Sequence, residues 1–124
     1  MANEAKPLFR PGANITVKAT SAVTGKTFVD VTAAADSDGL FKAATSTAAV
    51  RPFGVASRDI ASGDTGLVLR GGIVNVTAGG NIAVGAEVEV GTGGKAVTLA
   101  SGKSVGKAVS AGSSNNDVLV ALDI

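Results

Sequence analysis

The sequence predicts an all-β protein: a small β-barrel or two-sheet sandwich of short strands, with signs of internal duplication and an extended N-terminal arm. Two observations lead to this class. Seventeen glycines are spread along nearly the whole of the 124 residues, and the segments between them are short and rich in Val, Ile, Thr and Ala. Many short β-prone runs separated by flexible residues are the rhythm of strands joined by tight turns. Residues 1–12 are expected to form the arm and residues 13–124 a single β-domain. Strand content is expected to exceed a third, against the ~20–25% usual for soluble domains.

The arm differs from everything after it. Pro7 and Pro11 cannot donate to a β-ladder, and Lys6 and Arg10 flank the large apolar pair Leu8 and Phe9. Exposed tails are ordinarily polar, so two large apolar residues point to docking on a partner or a neighbouring subunit, with packing on the chain's own domain as the alternative. Lys6, Leu8, Phe9 and Arg10 are therefore the candidate partner-binding residues.

Alternation then marks the strands. Ile15, Val17 and Ala19 share one face, Val29 and Val31 another, and Val88 and Val90 alternate with Glu87 and Glu89. Further strands are expected at residues 67–70, 73–77, 96–100, 104–109 and 118–122. Turn residues lie between them at 24–26, 36–39, 62–64, 78–80, 91–94 and 113–117. The one plausible helical stretch, residues 43–49, is too short and Thr-rich to stand alone. A repeat is visible over about residues 13–70 and 80–122. Asn14-Ile15-Thr16-Val17 is echoed by Asn81-Ile82-Ala83-Val84. Phe53-Gly54-Val55-Ala56, with Leu67-Val68 after it, is echoed by Val105-Gly106-Lys107-Ala108 and Leu119-Val120. Two halves that each offer one apolar face can close on one another.

Composition excludes much chemistry. The chain has no cysteine and no histidine, so disulfides, thiolate metal sites and the commonest general base are absent. Trp and Tyr are also absent, leaving four Phe and few stacking platforms for sugars or single-stranded nucleic acid. A net charge of +1 supplies no field for a row of phosphates, so no nucleic-acid partner is expected. The charged, Pro-containing start does not resemble a signal peptide and no eighteen apolar residues run together. Synthesis in a cytoplasm without contact with a membrane is expected.

Apparent motifs dissolve on inspection. Gly91-Thr92-Gly93-Gly94-Lys95-Ala96 fits a dinucleotide fingerprint by spelling, but a strand-like Val97-Thr98-Leu99 follows where the pyrophosphate needs a helix N-terminus, so a hairpin turn is expected. Asp36-Ser37-Asp38-Gly39 lacks the later ligands of a calcium loop and reads as turn chemistry. Glu87 and Glu89 share a strand face at a spacing that two-carboxylate hydrolysis could use, yet paired acids on an alternating strand are ordinarily solvated. No nucleophile and base can be matched. Neither an enzyme, nor a cofactor or metal, nor a small-molecule substrate is expected.

From Arg51 onward, and more loosely from Asn14, the chain resembles the small capsid-decoration (head-stabilising) proteins of tailed phages. The residues that carry the likeness are Phe53-Gly54-Val55-Ala56, the polar loop 59–66, Leu67-Val68-Leu69, and Gly72-Ile73-Val74-Asn75-Val76. Gly85-Ala86-Glu87-Val88, Gly94-Lys95-Ala96, and the closing Val105–Ala108 and Val118–Val120 complete it. The resemblance implies a non-enzymatic virion protein on the outer surface of the assembled head. Its partners would be the major capsid protein and itself, as a homotrimer, and its task to stabilise the shell against internal DNA pressure. The alternative is another virion structural role: a head-fibre base, a tail-tube part or a minor head component.

Overall fold

A computed structural model of the chain describes residues 3–6, 8 and 12–124. It is all-β, with 43% strand and 3% helix. Ten strands follow in order: β1 (Asn14–Ala19), β2 (Phe28–Ala33), β3 (Phe41–Thr45), β4 (Gly54–Ala56) and β5 (Thr65–Leu69), then β6 (Ile73–Thr77), β7 (Glu87–Val90), β8 (Ala96–Thr98), β9 (Gly106–Ala108) and β10 (Asp117–Leu122). The first five close into a barrel in the order β1-β3-β2-β4-β5. The last five form a sheet in the order β6-β10-β9-β7-β8. Residues 91–96 form the β7–β8 hairpin around a single 3-10 turn at Thr92–Gly94, in which Gly93 and Gly94 both take positive φ.

The two sheets repeat one hydrogen-bond scheme. In the barrel Phe28 pairs with Val55 and Val29 with Gly54; in the second sheet Glu87 pairs with Lys107 and Val88 with Gly106. Asn14 opposite Leu69 has its counterpart in Ile73 opposite Ala121. The bridge between Val23 and Ile60 returns as that between Ile82 and Gly112. The correspondence therefore matches β1 with β6, and Asn14–Val17 does not correspond to Asn81–Val84, which lies outside the named strands. Gly54 and Gly106 occupy matched places for one reason. A Cβ on either would collide with the neighbouring strand, at the Leu69 and Ala121 carbonyls respectively.

One pairing is not repeated. In the barrel β1 runs parallel to β3 along Val17–Ala19 and closes the cylinder. In the second sheet the matching contact between β6 and β8 shrinks to a single parallel bridge, Ala78 to Ala96. The seam is filled from the barrel instead. Val29 points into the barrel core with Ile15, Val17, Ala19, Val23, Ala43, Ala56, Ile60 and Val68. Phe28, one residue away and on the opposite face, is fully buried and joins Val55 in the core of the second sheet, against Val76, Val88, Val90 and Val120. Backbone bonds bind the junction: Thr77 N–H donates to Lys26 O at 2.8 Å and Ala49 N–H to Val90 O at 2.8 Å.

Two local expectations change. Residues 41–45 are strand, overlapping the first part of the stretch 43–49 that looked marginally helical, because Phe41 and Ala43 face the barrel core and β1 and β2 supply ladder partners on both sides. Val31 does not share the burial of Val29. It is 42% exposed, because the register of β2 shifts between Val31 and Ala33 where the β2–β3 hairpin runs out beyond the barrel.

Phe28→Ala is expected to cost about 3–5 kcal/mol in urea denaturation, with the amides of β6 and β8 losing protection before those of β1 and β5. Gly106→Ala, at φ 146° against the backbone of β10, is expected to cost at least about 1–3 kcal/mol in the same assay.

Candidate functional site

The arm leaves the barrel beside a built corner. Arg70 N–H donates to Ala13 O at 2.7 Å, which ties the root of the arm to the end of β5. The Arg70 side chain then folds over Phe53: its Nε donates to Phe53 O at 2.9 Å, and its guanidinium carbon lies 4.5 Å from the ring centroid. Phe53 meets Phe41 edge to face, with centroids 6.4 Å apart. A cation over an aromatic face and a T-shaped pair are each favourable, so the corner is stiff. Sequence reasoning passed over this corner. Its only linear trace is that two of the four Phe belong to it.

Beyond the root, Lys6 is exposed and Leu8 is 78% exposed. Phe9 and Arg10 lie outside the described residues. The two described members of the candidate set are thus presented to solvent rather than packed on the domain that carries them. An apolar side chain the size of Leu left in water gains roughly 1.5–3 kcal/mol when a partner covers it.

The acidic pair Glu87 and Glu89 is split by its surroundings. Glu87 is exposed and accepts a hydrogen bond from Ser104 Oγ at 3.1 Å. Glu89 is buried beneath the loop after β8, where its Oε1 accepts the Ala100 N–H at 2.8 Å. Its Oε2 is, among the described residues, the one buried side-chain oxygen or nitrogen without a partner. Gly102 packs so closely on this oxygen that a Cβ there would collide with it. The two carboxylates are therefore not offered together to any substrate, and the expectation that both are solvated is corrected for Glu89. Tertiary covering by the loop at residues 99–104 overrode the strand alternation.

At the same end of the barrel as the root of the arm, where β2 ends and β3 begins, residues 36–39 fold as turn chemistry. Asp36 Oδ1 accepts Asp38 N–H at 3.1 Å and Asp38 Oδ1 accepts Leu40 N–H at 2.9 Å. The Lys42 ammonium, on a side chain only 12% exposed, bridges Asp36 at 3.3 Å and Asp38 at 3.0 Å. The Leu40 amide, with the Asp36 side chain and Lys42, holds the Asp38 carboxyl well below the ordinary value of 3.8. Burial opposes the charge on Lys42, but its hydrogen bonds to Asp38 and Asp36 outweigh that and raise the ammonium above its ordinary 10.5. Among the described residues no group of three or more acidic side chains could hold a metal ion.

Residues 9–124 match the phage cement protein family. The chain belongs to that family. Membership places it among the structural proteins of the phage head. The fold agrees: the head fiber gp8.5 N base in bacteriophage phi29 superposes with a TM-score of 0.76 over 89% of this chain and 92% of that one, at 23% identity. No curated protein matches the chain.

The Asp38 turn yields a pH prediction. A carboxyl depressed in the folded state adds stability that is complete above pH 3.8 and is lost only as the pH falls through the lower folded value. Amide protection of Leu40 should thus persist from neutral pH to below the usual aspartate range. Asp38→Asn should lower that protection several-fold by hydrogen exchange. Because the group lies at the surface and is screened by solvent, the same variant should move the thermal midpoint by less than about 4 °C.

Proposed function

We propose that the chain is a decoration protein that binds the outer surface of the assembled phage head and stabilises it against internal DNA pressure. The observation that carries this reading is the family match across residues 9–124. The physical mechanism is mass action: a protein that binds the assembled shell and not its dissociated subunits stabilises the shell by its binding free energy. No covalent step is required, in keeping with a chain that has neither histidine nor cysteine. The partner is the major capsid protein, and the copies act as homotrimers, in which several weak contacts combine into high avidity.

The arm is the shell contact in this reading. Leu8 and Phe9 are its apolar anchors, with Lys6 and Arg10 on the rim. Pro7 and Pro11 restrict the free arm and so reduce the entropy lost on docking. The exposure of Leu8 and the fixed exit beside Arg70 support it. A second reading, the base of a head fibre, is favoured by the likeness to the phi29 head fibre base. Electron microscopy of heads with and without the protein separates the two: decoration leaves a low, regular density over the shell, and a fibre base leaves isolated projections.

Removing residues 1–12 should leave the β-domain folded, with an unchanged circular dichroism spectrum, and weaken co-sedimentation with heads at least tenfold. Leu8→Ala with Phe9→Ala should reproduce most of that loss. Lys6→Ala should chiefly alter its dependence on salt. Unchanged binding by the truncated chain would exclude the arm as the shell contact.

A further inference from the structure

The repeated hydrogen-bond scheme allows the outward face of the second sheet to be compared, place by place, with that of the barrel. Asn14, Ser57 and Gly25 of the barrel correspond to Ile73, Val109 and Val84 of the second sheet. A polar or small residue in one half is a large aliphatic residue in the other. All three aliphatics are exposed, at 61%, 43% and 65%, and Leu119 joins them at 38%. Its counterpart in the barrel, Leu67, is half-buried. The neighbouring residues diverge in the same sense. Arg58 of the barrel donates to the carbonyl of its neighbour Asp59 and to that of Thr65 at the start of β5. Its counterpart Ser110 is short and accepts the Leu119 N–H instead.

Backbone pairing brings these residues near one another. Val109 N–H donates to Leu119 O, and Gly85, next to Val84, donates to Ala108 O. Ile73 lies opposite Ala121, two residues from Leu119 on the same face. Scattered exposed apolar residues are ordinary on a monomer, but a set gathered from β6, β10, the residue after β9 and the turn before β7 marks an interaction surface. The matching face of the barrel shows what such a surface does in this fold, since Phe28 and Val55, the counterparts of Glu87 and Lys107, are the residues buried between the two halves. Through Ile73 the exposed patch is continuous with that junction, where Ile73 and Val74 line a cleft with Val55 and Leu69.

We infer that this face of the second sheet, centred on Leu119 and Val109 with Ile73 and Val84 at its ends, packs against a second copy of the chain. The charges around it favour a copy over a different partner. Glu87 and Lys107 are cross-strand neighbours along one margin, and Lys26 and Asp117 pair at 2.8 Å on another. Equal numbers of both signs let two copies meet acid to base after rotation, whereas a strongly charged partner would call for one sign. The inference rests on the reading of the chain as a multicopy decoration protein and assigns its self-contact to the second sheet, leaving the arm for the shell.

The chain lacks cysteine, so single thiols report contacts without background. Val109→Cys and Leu119→Cys chains, oxidised in solution or on heads, should give disulfide-linked pairs of full-length chains, and Asn14→Cys should give none. Leu119→Glu with Ile73→Glu should raise at least tenfold the concentration at which the oligomer dissociates in sedimentation, with an unchanged circular dichroism spectrum. Val84→Glu, in a turn, should act in the same direction if the double variant folds poorly. Thiols at 109 and 119 that link to shell protein or to nothing would overturn the inference, as would charged variants that associate like the parent chain. Head binding is read on the same samples: binding without self-linkage removes this inference alone, and absence of any head binding removes the decoration reading.

Discussion

Insertion of Phe28 into the second sheet is the contact on which the architecture depends. The barrel is complete without it, since β1 and β3 close the cylinder. The second sheet is not, since β6 and β8 meet at one bridge, and an open seam would expose Val76, Val88, Val90 and Val120 to water. Phe28 and Val55 fill that seam from outside. Burial of a Phe is worth roughly 1.5–3 kcal/mol by area alone, and here it also removes the exposure of the aliphatics it covers. Gly94 fits this junction closely, because a Cβ there would press on the Phe28 carbonyl. Lys26 reinforces it twice, through its backbone bond to Thr77 and its ion pair with Asp117.

The two halves therefore hold unequal places despite a common scheme. The barrel uses its outward face internally and directs its other features outward: the arm rooted at Arg70 and the β2–β3 hairpin locked by Asp36, Asp38 and Lys42. The second sheet lends its open side to the barrel and keeps its outward face free. Closely crossed strands at Gly54 and Gly106, and a buried junction in place of a flexible linker, join the two halves stiffly.

Much of this was legible in the linear chain. Alternation at Ile15, Val17 and Ala19 and at Val88 and Val90 located buried strand faces, because side chains of a strand alternate between core and solvent whatever the partner. The matched Gly-containing strands and the Leu-Val pairs located β4, β5, β9 and β10. Hairpin glycines at 91–94 and the aspartates at 36 and 38 announced their turns, since turn chemistry is local. Absence of histidine, cysteine, tryptophan and tyrosine bounded the chemistry directly.

What the chain alone could not decide depends on residues far apart in sequence. Phe28 and Val29 are both apolar neighbours in one strand, and only closure of the barrel assigns one to each core. β3 is Ala- and Thr-rich and becomes a strand because β1 and β2 leave it a place with ladder partners on both sides. Glu87 and Glu89 look equivalent, but the loop after β8 covers one of them. Ile73, Val84, Val109 and Leu119 are scattered over 47 positions and become one surface only when β6, β9 and β10 are laid side by side. Local backbone preference and side-chain periodicity act over a few residues and can be read from the sequence; which face is covered, and by what, is set by long-range packing and exists only in the folded chain.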